Sequence, residues 1–186
     1  MLSETNEEKA ISIKPIAALD KFKAGVEKIT SAFKSKTTLE TLLGWAKENK
    51  PAGSVFVKLK LDKAKTLADN PNFMVWVAYA RYVWADYANP DTVIINFLMQ
   101  KYGDMNLARL LDAATQTKGT EKIATTLQNA QFERWRILGV DPWEKFGLSI
   151  GTLFTNEDVA SRAIWAKYVV YQAKVKRLQA AENVKP

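Results

Sequence analysis

Carboxylates are the side chains of this sequence that come closest to acid–base chemistry at neutral pH. The sequence has no cysteine and no histidine, which excludes thiol nucleophiles, histidine bases and metal sites built on either residue. The acidic candidates are Asp86, Asp91, Asp104, Asp112, Glu121, Glu133, Asp141, Glu144, Glu157 and Asp158. No two of them have a diagnostic spacing, and the adjacent Glu157 and Asp158 fall in the first turn of a predicted helix, where negative charge complements the helix dipole. We therefore predict no enzyme activity, no catalytic residue, no metal and no cofactor.

Aromatic side chains offer a second kind of chemistry, the stacking of nucleobases. The pattern Trp-x-x-Tyr-x-x-Tyr occurs twice, beginning at Trp76 and at Trp165. Residues at this spacing lie near one face of a helix, and an exposed row of rings beside basic residues could bind single-stranded nucleic acid. Only Arg81 and Lys167 interleave with the rings. We therefore interpret both motifs as parts of a helical core, where Trp and Tyr bury large apolar areas.

The net charge of +7 allows nucleic acid, an anionic membrane or an acidic protein as a partner. The lysines are scattered along the chain, which is typical of a solvated surface. No apolar run approaches the roughly 18 residues of a membrane span. The chain does not open on the charged and apolar regions of a secretory signal peptide.

The aromatic motifs belong to a longer repeat. Trp45 and Trp135 lie 90 positions apart, as do Phe56 and Phe146, whereas the two motif tryptophans lie 89 apart. A period of this length predicts a duplicated multi-helix unit. The predicted core is Trp45, Phe56, Trp76, Tyr79, Tyr82, Trp135, Phe146, Trp165, Tyr168 and Tyr171. Trp84, Tyr87 and Trp143 fall outside the doubled positions, so we hypothesise that they contact a partner.

Helix signals position these residues. Asn70-Pro71, Asn89-Pro90 and Asp141-Pro142 each combine an N-cap residue with proline at the first helical position. The pattern predicts helices over 15–34, from a capping box at 37–40, over 71–87, 90–102, 105–115, 120–138 and 142–148, and from a Thr155 cap to about 181. Residues 54–61 alternate as a strand would, but a lone strand has no hydrogen-bond partner, so we predict a short helix there. The fold class is all-α, with eight or nine helices.

A longer pattern surrounds the aromatic repeat. Its first copy comprises Leu39, Leu42, Leu43, Pro51, Val55, Phe56, Leu59, Leu61, Asn70, Pro71, Phe73, Trp76, Tyr79 and Tyr82. It continues through Tyr102-Gly103-Asp104, Leu107-Ala108, Ile123-Ala124, Leu127-Gln128, Trp135, Gly139, Pro142 and Phe146 to the second Trp-x-x-Tyr-x-x-Tyr. Over about residues 37 to 175, the sequence resembles the tandem WY-domain, or LWY-repeat, effectors of the RXLR class from plant-pathogenic oomycetes such as Phytophthora.

This resemblance implies an elongated all-α fold of tandem WY (LWY) helical bundles in which Trp76, Tyr79, Trp165 and Tyr168 are buried. It implies a leader and helix over residues 1–36, a first WY/LWY unit over 37–117 and a second over 118–186. It also implies a protein that the pathogen secretes with a signal peptide and an Arg-x-Leu-Arg leader, and that enters the host cytoplasm or nucleus. We expect the chain to be a processed effector body.

The resemblance further implies suppression of plant immunity through non-enzymatic binding of host proteins. Some relatives recruit a host phosphatase scaffold subunit, and others carry a short motif for autophagy ubiquitin-like proteins. Residues 135–138, Trp-Arg-Ile-Leu, match the aromatic-x-x-aliphatic form of that motif, although they lie inside a predicted helix. The alternative is a basic helical protein that binds nucleic acid in the host nucleus.

Overall fold

The computed structural model describes residues 16–33, 37–68, 70–146 and 159–183. These segments contain helices and no strand, which confirms the predicted all-α class. The α-helices are α1 (Ile16–Phe33), α2 (Leu39–Lys47), α3 (Ala52–Lys58), α4 (Pro71–Val83), α5 (Pro90–Tyr102), α6 (Asp104–Thr115), α7 (Glu121–Ile137), α8 (Pro142–Phe146) and α9 (Val159–Glu182). The Thr155 cap lies outside the described residues.

The predicted helix starts at Asn70 and Asn89 are confirmed. The Asn70 side chain accepts a hydrogen bond from the Asn72 N–H at 3.0 Å, and Asn89 accepts one from the Asp91 N–H at 3.1 Å. The prediction that α4 extends to Tyr87 is wrong, because the chain tightens into turns after Val83. These turns reverse the chain before Pro90, and the residue before a proline is extended rather than helical.

The ambiguous stretch at residues 54–61 is helical. Helix α3 ends at Lys58 and a 3₁₀ turn follows at Leu61–Lys63. Val55, Phe56 and Leu59 are buried because they share one face of the helix, whereas Val57 on the other face is 54% exposed. The strand-like alternation thus arises from a short helix followed by a tight turn.

The first core is formed mainly by helices α1 to α5. Trp76 and Phe56 are fully buried with ring centroids 5.0 Å apart, and the Trp76 Nε1–H donates to the Ala52 carbonyl at 2.9 Å. Phe22 of α1 stacks on Tyr82 of α4 at 4.9 Å. Trp45 and Tyr82 are half-buried against this core. Helix α1, which precedes the repeat, is therefore part of the first helical bundle.

The second core is smaller and lies between α6, α7 and α9. Its buried residues are Ala108, Phe132, Trp135, Ile164 and Tyr168, with Tyr171 packed against them. The rings of Trp135 and Tyr168 meet edge to face at 5.2 Å. Trp165 is half-buried, and the side chain of Phe146 lies outside the described part of the structure.

Helices α6 and α7 contribute to both cores. Leu107 and Leu111 of α6 pack in the first core, while Ala108 packs in the second. Along α7, Leu127 belongs to the first core and Trp135, two turns later, to the second. The two bundles are thus joined by a packed helix pair rather than by a loose linker.

One hydrogen bond recurs in both copies. The Tyr79 hydroxyl donates to the Lys50 carbonyl at 2.7 Å, and the Tyr168 hydroxyl donates to the Val140 carbonyl at 3.1 Å. Lys50 and Val140 are 90 positions apart, the period of the aromatic repeat. The duplication therefore extends from the sequence to individual hydrogen bonds.

The two carbonyls sit on matching helix ends. The Lys50 N–H donates to the Trp45 carbonyl at 3.0 Å, and the Val140 N–H donates to the Trp135 carbonyl at 2.9 Å. The residue before each carbonyl has a left-handed backbone, with φ of 50° at Asn49 and 67° at Gly139. Asparagine and glycine tolerate this conformation best, so each copy ends its helix with a suitable residue.

Among the described residues, no helix combines the length and the apolar character that crossing a membrane requires.

The burial of Trp76 gives a test of the fold. We expect Trp76→Ala to lower the free energy of unfolding by about 3 to 5 kcal/mol, because the change leaves a cavity and removes the hydrogen bond to the Ala52 carbonyl. Trp165→Ala should cost less, since Trp165 is only half-buried. Denaturant unfolding measures both, with the 58% exposed Tyr87 as a matched aromatic control whose alanine variant changes stability by less than about 0.5 kcal/mol. Equal stability of the Trp76 and Tyr87 variants would contradict this packing.

Candidate partner-binding surface

The two copies share their cores but differ at one position beside the aromatic motif. Gly53 of α3 corresponds to Trp143 of α8, 90 residues later. A Cβ atom on Gly53 would lie 3.3 Å from Cε2 of Phe97, a close approach that glycine permits. Equivalent positions thus hold the smallest residue, Gly53, in the first copy and the largest, Trp143, in the second.

In the first copy, helix α5 covers this place. The ring centroid of Phe97 lies 5.4 Å from that of Trp76 and 5.2 Å from that of Phe56. The Tyr102 hydroxyl at the end of α5 donates to the Leu61 carbonyl at 2.7 Å, which holds the helix against the turn after α3. An aromatic side chain of α5 thus completes the first core from outside the α1–α4 bundle.

In the second copy, Trp143 takes the equivalent place. Its ring centroid lies 4.8 Å from that of Trp165, the counterpart of Trp76, yet Trp143 remains 41% exposed. The buried Nε1–H of Trp165 has no acceptor among the described residues, although its counterpart in Trp76 is paired. In the described part of the second copy, the core beside Trp165 is therefore covered by Trp143 of the same copy, and this cover is incomplete.

A second difference lies beside the last tyrosine of each motif. In the first copy, a groove of about 210 Å³ is lined by Leu19, Lys23, Leu43, Ala46, Lys47 and Tyr82. The counterparts of Leu43 and Ala46 are Glu133 and Arg136, which form two hydrogen bonds of 2.8 and 2.7 Å. At this place the first copy thus has a groove lined by apolar residues and two lysines, and the second copy has an ion pair.

The Glu133–Arg136 pair also binds the motif. The Tyr171 hydroxyl donates to Glu133 Oε2 at 3.0 Å. The hydrogen bonds from Arg136 lower the pKa of the Glu133 carboxyl, whereas burial, followed by the hydrogen bond to Glu133, raises the pKa of Tyr171 to about 12. Tyr171 therefore keeps its proton well above neutral pH.

Some of the candidate carboxylates join helices. Asp104 accepts hydrogen bonds from the Trp135 Nε1–H at 2.9 Å and from Gln131 Nε2 at 2.8 Å, and it pairs with Lys145. Asp112 pairs with Lys167 at 2.5 Å. No group of three potential metal ligands occurs within the segments that the structure describes. The absence of enzyme activity stays a prediction.

The three predicted partner residues occupy different environments. Trp84 is half-buried, with its ring 6.3 Å from Trp76 and 6.0 Å from Phe97. Tyr87 is 58% exposed in the turn before α5, and the Trp143 ring packs at a tilt against the Trp165 ring. The sequence pattern missed Gly53 and Phe97, although comparing residues 90 positions apart would have paired Gly53 with Trp143.

The fold and this surface define a duplicated all-α protein whose copies share buried aromatics and differ where they face solvent. No protein-family model matches the sequence. The chain is 34% identical over 149 residues to the RxLR effector protein PSR2 of Phytophthora sojae, covering 78% of this chain and 22% of that protein. It is 31% identical to PexRD25 of Phytophthora infestans, covering 78% and 48%, and 28% identical to PexRD15 of the same species, covering 89% and 71%.

The chain is a homologue of the RxLR effector proteins of Phytophthora and related oomycetes, which confirms the predicted resemblance. It spans 22% and 48% of the lengths of PSR2 and PexRD25. The names of these relatives support the predicted role as a secreted virulence effector and the predicted passage from the pathogen into host cells.

The raised tyrosine pKa values predict a loss of stability at alkaline pH. Burial raises the pKa of Tyr102 to about 12, as it does that of Tyr171. An unfolded tyrosine ionises near pH 10, so the folded chain binds more protons between about pH 10 and 12, and unfolding becomes easier as pH rises through that window. The stabilisation is fully present below about pH 10.

Denaturant unfolding at several pH values measures this effect. We expect Tyr171→Phe to make stability less dependent on pH above about pH 10, whereas Tyr87→Phe, which removes an exposed hydroxyl, should leave the dependence unchanged. An identical alkaline slope in the wild type and the Tyr171 variant would contradict the assignment.

Proposed function

We propose that this chain is a non-enzymatic interaction module that suppresses plant immunity by binding host proteins inside the host cell. The observation that carries the proposal is the RxLR effector family of its relatives. The contrast between repeated core contacts and divergent surfaces agrees with it, because a duplicated scaffold can hold different contact surfaces on one framework. On this reading, each copy is a WY/LWY unit, the first over 37–117 and the second over 118–186.

The autophagy-type motif at residues 135–138 is a poor docking element in this fold. Trp135 is 1% exposed and its Nε1–H donates to Asp104, so the anchor of the motif is used inside the protein. The neighbouring Ile137 and Leu138 are 69% and 61% exposed and remain available for contacts. A host phosphatase scaffold is a further candidate partner, and purified host proteins can be tested directly.

The nucleic-acid alternative has less support. Base stacking requires exposed rings beside free basic groups, but Trp76 and Tyr79 are fully buried. Arg81 forms a two-bond pair with Asp91, and Lys167 pairs with Asp112. The basic residues that interleave with the motifs thus join helices.

Affinity purification from plant cells that express the tagged chain tests the proposed function. We expect specific host proteins to bind the wild type, and a purified partner to bind it with a measurable Kd, together with a weaker immune response in those cells. Trp76→Ala, which disrupts the core, should lose both effects. The matched surface control is Glu182→Ala at the exposed end of α9, which should keep both.

The same assay can contradict the proposal. An immune response equal to that with the tag alone, together with no host protein above the tag background, would contradict it. A salt-sensitive shift of random single-stranded DNA at micromolar protein would instead favour the nucleic-acid alternative.

A further inference from the structure

The first copy shows which ligand fits the face formed by the aromatic motif and the preceding short helix. That ligand is α5, which also packs on α6 and α7. Its Ile94, Ile95 and Leu98 are buried, and its Phe97 lies in the space beside Gly53. Phe97 then contacts Trp76 and Phe56 edge to face or at a tilt. The first copy therefore shows how a helix packs on this type of face.

The equivalent face of the second copy has no such helix among the described residues. In the first copy, the chain turns after Val83 and returns as α5. In the second copy, α9 continues without a turn to Glu182, so the backbone moves about 26 Å along the helix axis from Trp165. The described part of α9 thus leads away from the face instead of folding back over it.

Two features mark this face as incompletely closed. Trp143 covers Trp165 but stays 41% exposed, which leaves much of its apolar ring in water. The Trp165 Nε1–H is buried and lacks an acceptor within the described segments. A buried donor without an acceptor is costly, and an incoming polar group could pair with it.

We propose that the Trp143–Trp165 face is a docking site for an amphipathic helix of a host protein that carries an aromatic residue in the role of Phe97. The partner's ring takes the place of Trp143, which turns outward and packs on the partner helix. Without a partner, Trp143 closes the site. The inference rests on the proposed interaction role and specifies its surface and the chemistry of its partner.

A helix of a different protein fits this face better than the α5 helix of a second copy of this chain. The α5 helix of another copy is already used, because Phe97 and Tyr102 hold it against its own first core. The proposed partner helix belongs to a different protein and resembles α5 in pattern, with apolar residues on one face and an aromatic residue among them.

The test uses a labelled peptide of residues 89–103, which contains α5, and the full chain as receptor. Fluorescence anisotropy gives the Kd for the wild type and for Trp143→Gly, which reproduces the glycine at position 53. We expect at least tenfold tighter binding to the variant and at least tenfold weaker binding of a Phe97→Ala peptide. Tyr87→Ala, which removes another exposed aromatic ring, should bind the peptide as the wild type does.

Circular dichroism and a cooperative thermal transition establish that each receptor is folded. If Trp143→Gly does not fold, Trp143→Ala replaces it under the same criteria. Equal Kd values for the wild type and the folded variant, or equal binding of the two peptides, would overturn the proposal. Peptide binding to purified protein reports on this face alone, whereas the plant-cell assay reports on the interaction role, so either can fail without the other.

Discussion

The fold depends on a tyrosine hydroxyl that ties one helix to the end of another. In each copy, the second aromatic residue of the motif donates to a backbone carbonyl just past the end of α2 or α7. That carbonyl belongs to a residue whose own N–H closes the helix end, so a single hydroxyl fixes both a helix stop and the position of the neighbouring helix. Burial raises the pKa of Tyr79 and Tyr168, which keeps the donating proton in place.

The shared helices α6 and α7 turn this repeated unit into one connected protein. Ala108 and Leu107 are adjacent in sequence but belong to different cores. Asp104 strengthens the pair, because it bonds to Gln131 and Trp135 across the α6–α7 interface. A partner that contacts one copy therefore meets a surface whose position is set by packing against the other. This arrangement agrees with the proposed role as an interaction module.

Local signals predicted most of the helices, whereas contacts distant in sequence carried the rest. The side chains of Asn70 and Asn89 cap the helices that follow them, so a few neighbouring residues suffice to predict where these helices begin. The end of α4 depends on where the chain must turn to bring α5 back, which the helical pattern of α4 does not contain. Gly53 has no side chain that could contribute to an apolar pattern. Its importance depends on its contact with Phe97, which lies 44 residues later in the sequence. The aromatic period identified the duplication but not the helix pair shared by the two cores.

The central claim is that an equivalent tyrosine-to-carbonyl hydrogen bond stabilises both copies. Removing the hydroxyls of Tyr79 and Tyr168 tests it most directly. Denaturant unfolding of Tyr79→Phe and Tyr168→Phe should each show a loss of about 1 kcal/mol, the usual net contribution of such a hydrogen bond. Tyr82→Phe is the matched control, since its hydroxyl makes no hydrogen bond to another described residue, and its stability should match the wild type. Stabilities of the Tyr79 and Tyr168 variants that equal those of the Tyr82 variant and the wild type would contradict the account.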